Sequence, residues 1–552
     1  LGVRGRFDLA GDVWTVRSAG GEEPEVDFDF NVSMRGGTLW PQGGTFSLTE
    51  LAGELNLKPE QMSLRSMRAR RGSGEIAAAG TVEWPGNRPR MDLSVDATNL
   101  ALDAALRQTL PEAARQGWDL VRPEGTVDAK IKFTGDIAAG SPEFDVTILP
   151  RKLAVTPTVF PCRFNDVTGA VHITPGSVEL TELIARRGES RVVLGGGGDL
   201  ATGEWNLTVS ADQVQVDDEL IAAMPVSLGE LTRGAEMRGS YDVNFSKLRV
   251  ARDPVGSATQ PSSLEEVEFA VRVETRDGEL VAGVPLKNLR GRADLAGTSR
   301  GGKLGALVGK LDIERLNLGT LPAESFVADI AKAADSALIR MTDMRCDIAG
   351  GHAAGNVEWY WPDNAPPRYG VSLVLRDADV RQLIESAPAQ LRGRLTASLA
   401  LEGGWDDPAT RRGRGDVVVE GRDMYRIPIL LGLLQITNLA LPINTPFTQA
   451  TARYGIEGNR VTFESVELSA DQMQMRGSGF LDFAQKQVRM TFVTDSKNWP
   501  KIPIVGELLQ GARHELLQIH VRGSLQEPKV SAGSLQTITT TIDEVFRGDD
   551  KR

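Results

Sequence analysis

Apolar and polar residues alternate along most of this chain, and Gly or Pro interrupts the alternation at short intervals. A period of two puts successive side chains on opposite faces of an extended strand. The first 60 residues read RGRFDLAG, DVWTVRS, EVDFDFNVSM, GGTLW and GTFSLTEL, which predicts short strands separated by Gly turns. Residues 64–84 (LRSMRARRGSGEIAAAGTVEW) predict two strands joined by a Gly turn. The chain rewrites this unit at 180–196, 339–355 and 463–479, each time with an apolar residue sixteen positions before a Gly. Repetition of a supersecondary unit predicts an array of stacked units.

The unit continues beyond the hairpin. A third strand follows the first three copies (MDLSVDATNL, WNLTVSADQVQV, YGVSLVLRDADV), then a short helix, then Pro. Leu106, Leu220 and Leu383 each stand five residues before Pro111, Pro225 and Pro388. Pro disfavours helical geometry in the residue before it, so it is expected to stop each helix. Asp103 and Asp217 read as helix N-caps. Strands then resume in two matching segments, GTVDAKIKFTG (125–135) and GRLTASLALEG (393–403). In the first, Val127, Ala129, Ile131 and Phe133 share one face; in the second, Leu395, Ala397, Leu399 and Leu401 do. Later, Val488, Met490 and Phe492 share a third such face. Each of these strands has one oily and one wet side. Residues 324–338 (ESFVADIAKAADSAL) carry an amphipathic helix pattern. The expected organisation is an N-terminal β-repeat region (1–249), a linker or long loop (250–263), a middle β-repeat region (264–415) and a C-terminal domain (416–552).

Composition narrows the classes. Apolar residues make up 41% of 552, enough for a core, so wholesale disorder is excluded. The formal net charge of −12 argues against a nucleic-acid binder, which needs a basic stripe. It leaves contact with lipid tails open. Two cysteines, Cys162 and Cys346, lie far apart without a CxxC pair, so neither a disulfide framework nor a zinc site is supported. No apolar run reaches the ~18 residues of a spanning helix.

Candidate chemistry is sparse. GGGGD (195–199) lacks the GK[ST] ending of a phosphate loop and reads as a strand turn. His172, His352, His514 and His520 form no HExxH or Cys/His cluster. No GxSxG, SxxK or Cys–His constellation stands out. The expectation is a non-enzymatic protein with no metal and no cofactor. The clustered Arg68, Arg70 and Arg71, echoed by Arg186 and Arg187, read as a solvated turn or as a contact for lipid headgroups. The segment around Ile427, Ile429, Leu430, Leu431, Leu433 and Leu434 is the most apolar of the chain. It reads as a buried helix or strand cap, or as a membrane-proximal segment.

The C-terminal third carries a family pattern. An apolar segment follows a Tyr-Arg-Ile-Pro start, then come GSGFLDF (477–483) and IPIVGELLQGARHELLQIHVRGSLQEPKV (502–530). Pro503, Gly506, Leu508, Leu509, Gly523, Leu525, Pro528 and Val530 hold the pattern's positions. This region resembles the AsmA-like superfamily (AsmA-, TamB- and YhdP-type bridge-like lipid-transfer proteins). The resemblance implies an elongated, twisted repeat β-sheet forming an apolar groove, with short interspersed helices. It implies a periplasmic protein of cell-envelope biogenesis that binds or conducts phospholipid between inner and outer membranes, anchored through an upstream segment. The eleven strand-face residues named above would line that groove. The partners implied are phospholipid acyl chains, either membrane and outer-membrane assembly proteins, with no nucleic acid. From the residues alone, the oily faces equally suit the closed core of two packed sheets. The alternative function is then a scaffold or assembly factor for outer-membrane proteins; a surface adhesin or glycan module ranks last, since aromatics are few.

Overall fold

The structure is a computed structural model. It describes residues 2–16, 25–41, 45–84, 90–136, 143–224, 229, 232–251, 266–281, 285–362, 364–383, 392–405, 407–421, 447–470, 474–495, 517–524 and 528–534. The fold is mainly β, 76% strand and 8% helical, a repeat sheet with short helices between strands.

The chain divides into two units, Leu1–Gly278 with Asp294–Gly305, and Glu279–Ala293 with Ala306–Arg552. The first contains β1 (Gly2–Val16), β2 (Glu25–Trp40), β3 (Leu48–Lys58), β4 (Gln61–Arg71), β5 (Gly74–Glu83), β6 (Arg90–Leu102), β7 (Pro123–Asp136), β8 (Glu143–Val155), β9 (Phe164–Ile173), β10 (Ser177–Arg187), β11 (Ser190–Asp199), β12 (Glu204–Gln215), β13 (Ser240–Ala251) and most of β14 (Glu266–Val281). Residues of β15 (Pro285–Arg300) and β16 (Lys303–Leu318) fall in both units. The second continues with β17 (Leu321–Lys332), β18 (Leu338–Ile348), β19 (Gly351–Tyr360), β20 (Arg368–Asp379), β21 (Arg394–Gly404), β22 (Arg412–Glu420), β23 (Gln449–Glu457), β24 (Arg460–Ser469), β25 (Gln474–Asp482), β26 (Gln487–Asp495), β27 (Leu517–Ser524) and β28 (Pro528–Ser534). From β1 to β14, and again from β16 to β28, each strand pairs antiparallel with the next in sequence. Purely sequential pairing is what short Gly turns between alternating strands produce.

The sixteen-residue spacing has a definite cause. Leu64 pairs with Gly80, Leu180 with Gly196 and Phe463 with Gly479. In each pair of strands the next partners are Met67–Ala78, Leu183–Leu194 and Val466–Gly477. The first strand thus advances three residues while its partner advances two, which defines a β-bulge. The third copy keeps the bulge but slides by two: Met341 pairs with Val357 and Met344 with Gly355, while Ile339 faces Trp359.

A short helix follows each of β6, β12 and β20. α1 (Ala104–Thr109) follows β6, and its N-cap Asp103 accepts from the Leu106 N–H at 2.9 Å. Pro111 stops α1 as the sequence pattern suggested, since Leu110 before it is extended (φ −73°, ψ 147°), but it also opens a second helix, α2 (Glu112–Val121); a ring-fixed φ suits a helix start as well as a stop. α3 (Asp218–Ala223) follows β12, capped by Asp217 through the Leu220 N–H at 2.8 Å. α4 (Val380–Leu383) follows β20.

Two further expectations are corrected. Residues 324–338 are not a helix: they fall in β17, the turn at 333–337 and the first residue of β18. Ser325 is left-handed (φ 55) at a bulge opposite β18, so the inward residues run Ala323, Phe326, Ala328, Ile330. The step of three mimics a helical period. The GGGGD run is likewise not a turn but the second half of β11; the turn begins at Asp199, whose carboxylate accepts from the Ala201 and Thr202 N–H groups. The expected linker 250–263 begins within β13, which runs to Ala251; its remaining residues, the apolar segment 427–434, His514, and Pro503, Gly506, Leu508, Leu509 and Leu525 lie outside the described residues.

Candidate functional site

The strand registers join the oily faces into continuous rows. In the first unit one row runs Met67–Ala78–Val95–Ile131–Val146–Ile173–Val178–Gly198–Trp205–Val250–Val267. Beside it runs Ala69–Ile76–Ala97–Ala129–Ile148–Val171–Leu180–Gly196–Leu207–Leu248–Phe269. Each crosses β4 to β14 without one charged residue. The row between them, on the opposite face, reads Ala77–Asp96–Lys130–Thr147–His172–Glu179–Gly197–Asn206–Arg249–Glu268. The sheet is therefore amphipathic across many strands.

The second unit repeats this. Cys346–Ala353–Leu375–Ala397–Val417–Ala452–Val466–Gly477–Phe492–Ile519 crosses β18 to β27. On the same face run Met341–Val357–Val371–Leu401–Gly413–Ile456–Val461–Leu481–Val488–Gly523.

Burial divides the expected lining residues into three groups. Val127 and Ala129 are buried, in a cluster with Ala97, Leu100, Leu153 and Val167 onto which Leu106 of α1 packs. Helix α1 thus closes the apolar face at its end of these strands. Ile131 and Phe133, farther from the helices on β7, are only half-buried. Leu395, Ala397, Leu399 and Leu401 are half-buried along the whole of β21. Val488, Met490 and Phe492 belong instead to a closed core with Phe447, Val466, Leu468, Met475, Ile519 and Val521, where Phe492 is 2% exposed and Ile519 fully buried. An oily molecule reaches these three only by displacing that packing.

Three of the clustered arginines, Arg70, Arg71 and Arg187, are held by carboxylates, while Arg68 and Arg186 are exposed. Arg71 Nη2 donates to both carboxylate oxygens of Asp103 (2.9 and 2.8 Å), and its guanidinium stacks over Phe46, 4.4 Å from the ring centroid. Arg187 holds Asp217 in the same way (2.7 and 2.9 Å) and reaches Glu219. Burial works against the ionised Asp217 carboxyl, but Arg187 and the Leu220 N–H outweigh it and hold it below the usual range. Asp103 is lowered against burial by the Leu106 N–H and Arg71. Arg70 pairs with Glu75 and Glu50. Two sequence repeats separated by 116 positions thus build the same strand-to-helix clamp.

The three described histidines do not converge. His172 meets Asp145 at 3.0 Å, His352 meets Asp347 at 2.6 Å, and His520 meets Thr491 at 3.2 Å. Among the described residues no cluster of His, Cys, Asp and Glu could hold a metal ion, and no helix is long and apolar enough to cross a membrane. One feature lay beyond the sequence reading. At the end of the strands away from α4, the apolar face of the second unit finishes in Trp359, Trp361, Tyr369 and Trp405. Trp359 pairs with Tyr369 and Tyr369 with Gly403, and the Trp361 and Trp405 rings lie 6.0 Å apart. These residues are spread over 47 positions, and only pairing brings them together. No family model, curated protein or solved structure matches the chain.

Proposed function

We propose that the apolar face is a surface for the acyl chains of phospholipid, in a non-enzymatic protein of the AsmA-like kind working in the periplasm. The observation that carries the proposal is the pair of charge-free rows crossing β4 to β14, with their counterparts from β18. Much of this face is half-buried by neighbours on the same face, as at Val95, Ile131, Val146, Leu375 and Leu399. Soluble proteins seldom leave large contiguous apolar areas without a partner. Acyl chains supply one, since burial is worth about 0.8 kcal/mol per CH₂. Breaks in the rows of the first unit are Gly rather than charge, so a chain sliding across β4 to β14 meets no polar barrier. Movement of lipid then needs binding surface and no bond chemistry.

The scaffold reading draws on the C-terminal core, where Phe447, Met475, Ile519 and Val521 are fully buried. Organic extraction of the purified protein followed by mass spectrometry separates the two readings. Phospholipid is expected in the extract, and Ile131→Asp and Leu399→Asp are expected to deplete it while circular dichroism stays native. Cys346 lies in the apolar row and Cys162 is fully buried. A polarity-sensitive dye on Cys346 is expected to shift to the blue when phospholipid is added. Absence of lipid from every preparation, with no dye response, refutes the conduit.

A further inference from the structure

Across β19 to β22 the apolar face changes character from one end of the strands to the other. Aliphatic pairs come first, Ala353–Leu375–Ala397 and then Val357–Val371–Leu401. The row Trp359–Tyr369–Gly403 follows. Beyond it stand Trp361 and Trp405, anchored by backbone bonds from the Trp361 N–H to the Ala337 carbonyl (2.8 Å) and from the Trp405 N–H to the Pro367 carbonyl (3.0 Å). Trp361 is 39% exposed. The indole N–H groups of Trp361 and Trp405 find no acceptor among the described residues. Last comes Arg411, in phase with Gly413 of the same face, whose backbone packs against the site where a Gly403 side chain would stand (3.4 Å). The turn Pro408–Thr410 holds it there: the Arg411 N–H donates to the Pro408 carbonyl and the Arg411 carbonyl accepts from Gly458. Arg411 has no side-chain hydrogen bond or ion pair among the described residues. The nearby Asp407 carboxylate is engaged by the Ala409 N–H at 3.0 Å. On the opposite face, Glu402 and Glu457 flank Arg412 in register.

Aliphatic, then aromatic with a polar tip, then cationic is the polarity profile of an amphiphile from tail to anionic head. Trp and Tyr favour the boundary where one side is apolar and the other wet. A guanidinium matches phosphate in geometry and charge. We infer that Trp359, Trp361, Tyr369, Trp405 and Arg411 form a headgroup site, which takes the ester region and phosphate of a phospholipid whose chains lie on Val371 and Leu401. This rests on the apolar face being a lipid surface. It adds an orientation: heads at the end of the strands away from α4, tails toward it.

Isothermal titration calorimetry with dioctanoyl phosphatidylglycerol and dioctanoylglycerol, each below its critical micelle concentration, tests it. Both are expected to bind the native chain. Arg411→Ala is expected to weaken the phosphatidylglycerol about tenfold, the loss of one charge-assisted contact, and to leave dioctanoylglycerol unchanged. Arg411→Lys is expected to restore most of the difference. Trp361→Ala with Trp405→Ala is expected to weaken both ligands. If Arg411→Ala changes neither ligand, or both equally, the headgroup site is wrong while the lipid surface stands. Binding of neither ligand by the native chain overturns both. Inorganic phosphate alone is expected to give no heat; an Arg411-dependent response equal to that of phosphatidylglycerol would make this a free-anion site and overturn the inference.

Discussion

At the bulges, single residues hold backbone that most side chains avoid. Ser66, Glu182 and Asp343 occupy corresponding positions in three copies with φ of 47°, 45° and 53°. The left-handed region costs a non-Gly residue roughly 1–2 kcal/mol. Glu182→Gly is therefore expected to raise stability by about 0.5–1 kcal/mol, and Glu182→Val, branched at Cβ, to lower it by about 1–2 kcal/mol. Urea unfolding of the two variants checks both signs. Opposite the bulge stands Gly80, Gly196 or Gly479, with φ of 151°, 118° and 153°. At Gly479 a Cβ would also overlap the Arg489 carbonyl. This is why a Gly recurs at a fixed distance from an apolar residue: the extra residue on one strand presses the backbones together on the other.

At the scale of elements, the clamp between a hairpin and the helix after it sets where the apolar face is closed. Asp217 serves Arg187 and the first turn of α3 at once. Its folded pKa is lower than its unfolded one, so its contribution to stability is present above the ordinary aspartate range and lost as pH falls through the folded value. Asp217→Ala is expected to cost about 0.5–2 kcal/mol at neutral pH, the range for a lost N-cap, and the difference from the native chain should shrink in acid. Unfolding series at several pH values measure this. The same elements show what was legible in the sequence. Asp103, Asp217 and the hairpins were readable because caps and turns are local. The β17 bulge was not, because a shift in phase within a strand looks like helical spacing. Nor was the division of the oily faces into open and closed parts. Ile131 and Phe492 have the same alternating neighbours, but burial depends on what lies above the face. The aromatic end was unreadable because its four residues meet only through pairing of β19, β20 and β21.

At the scale of the whole molecule, stability varies along the array, since strands pack mainly with their neighbours. β1 is exposed over nearly its full length, and Leu9 and Val13 are about 60% open on it. β24 to β27 enclose the core around Phe492. Amides of β1 are expected to exchange hydrogen well before those of β24 to β26, as read by mass spectrometry on pulse-labelled peptides. Equal protection would mean that the array opens as a single cooperative block. Sequential pairing has one more consequence. A hairpin inserted into such a ladder adds two rungs to every row and disturbs only the two strands that part to admit it. Chain length can therefore change by duplication while the oily track, its polar back and its bulged margin are copied unaltered. Selection on how many strands the apolar face spans is thereby separated from selection on the residues that make it.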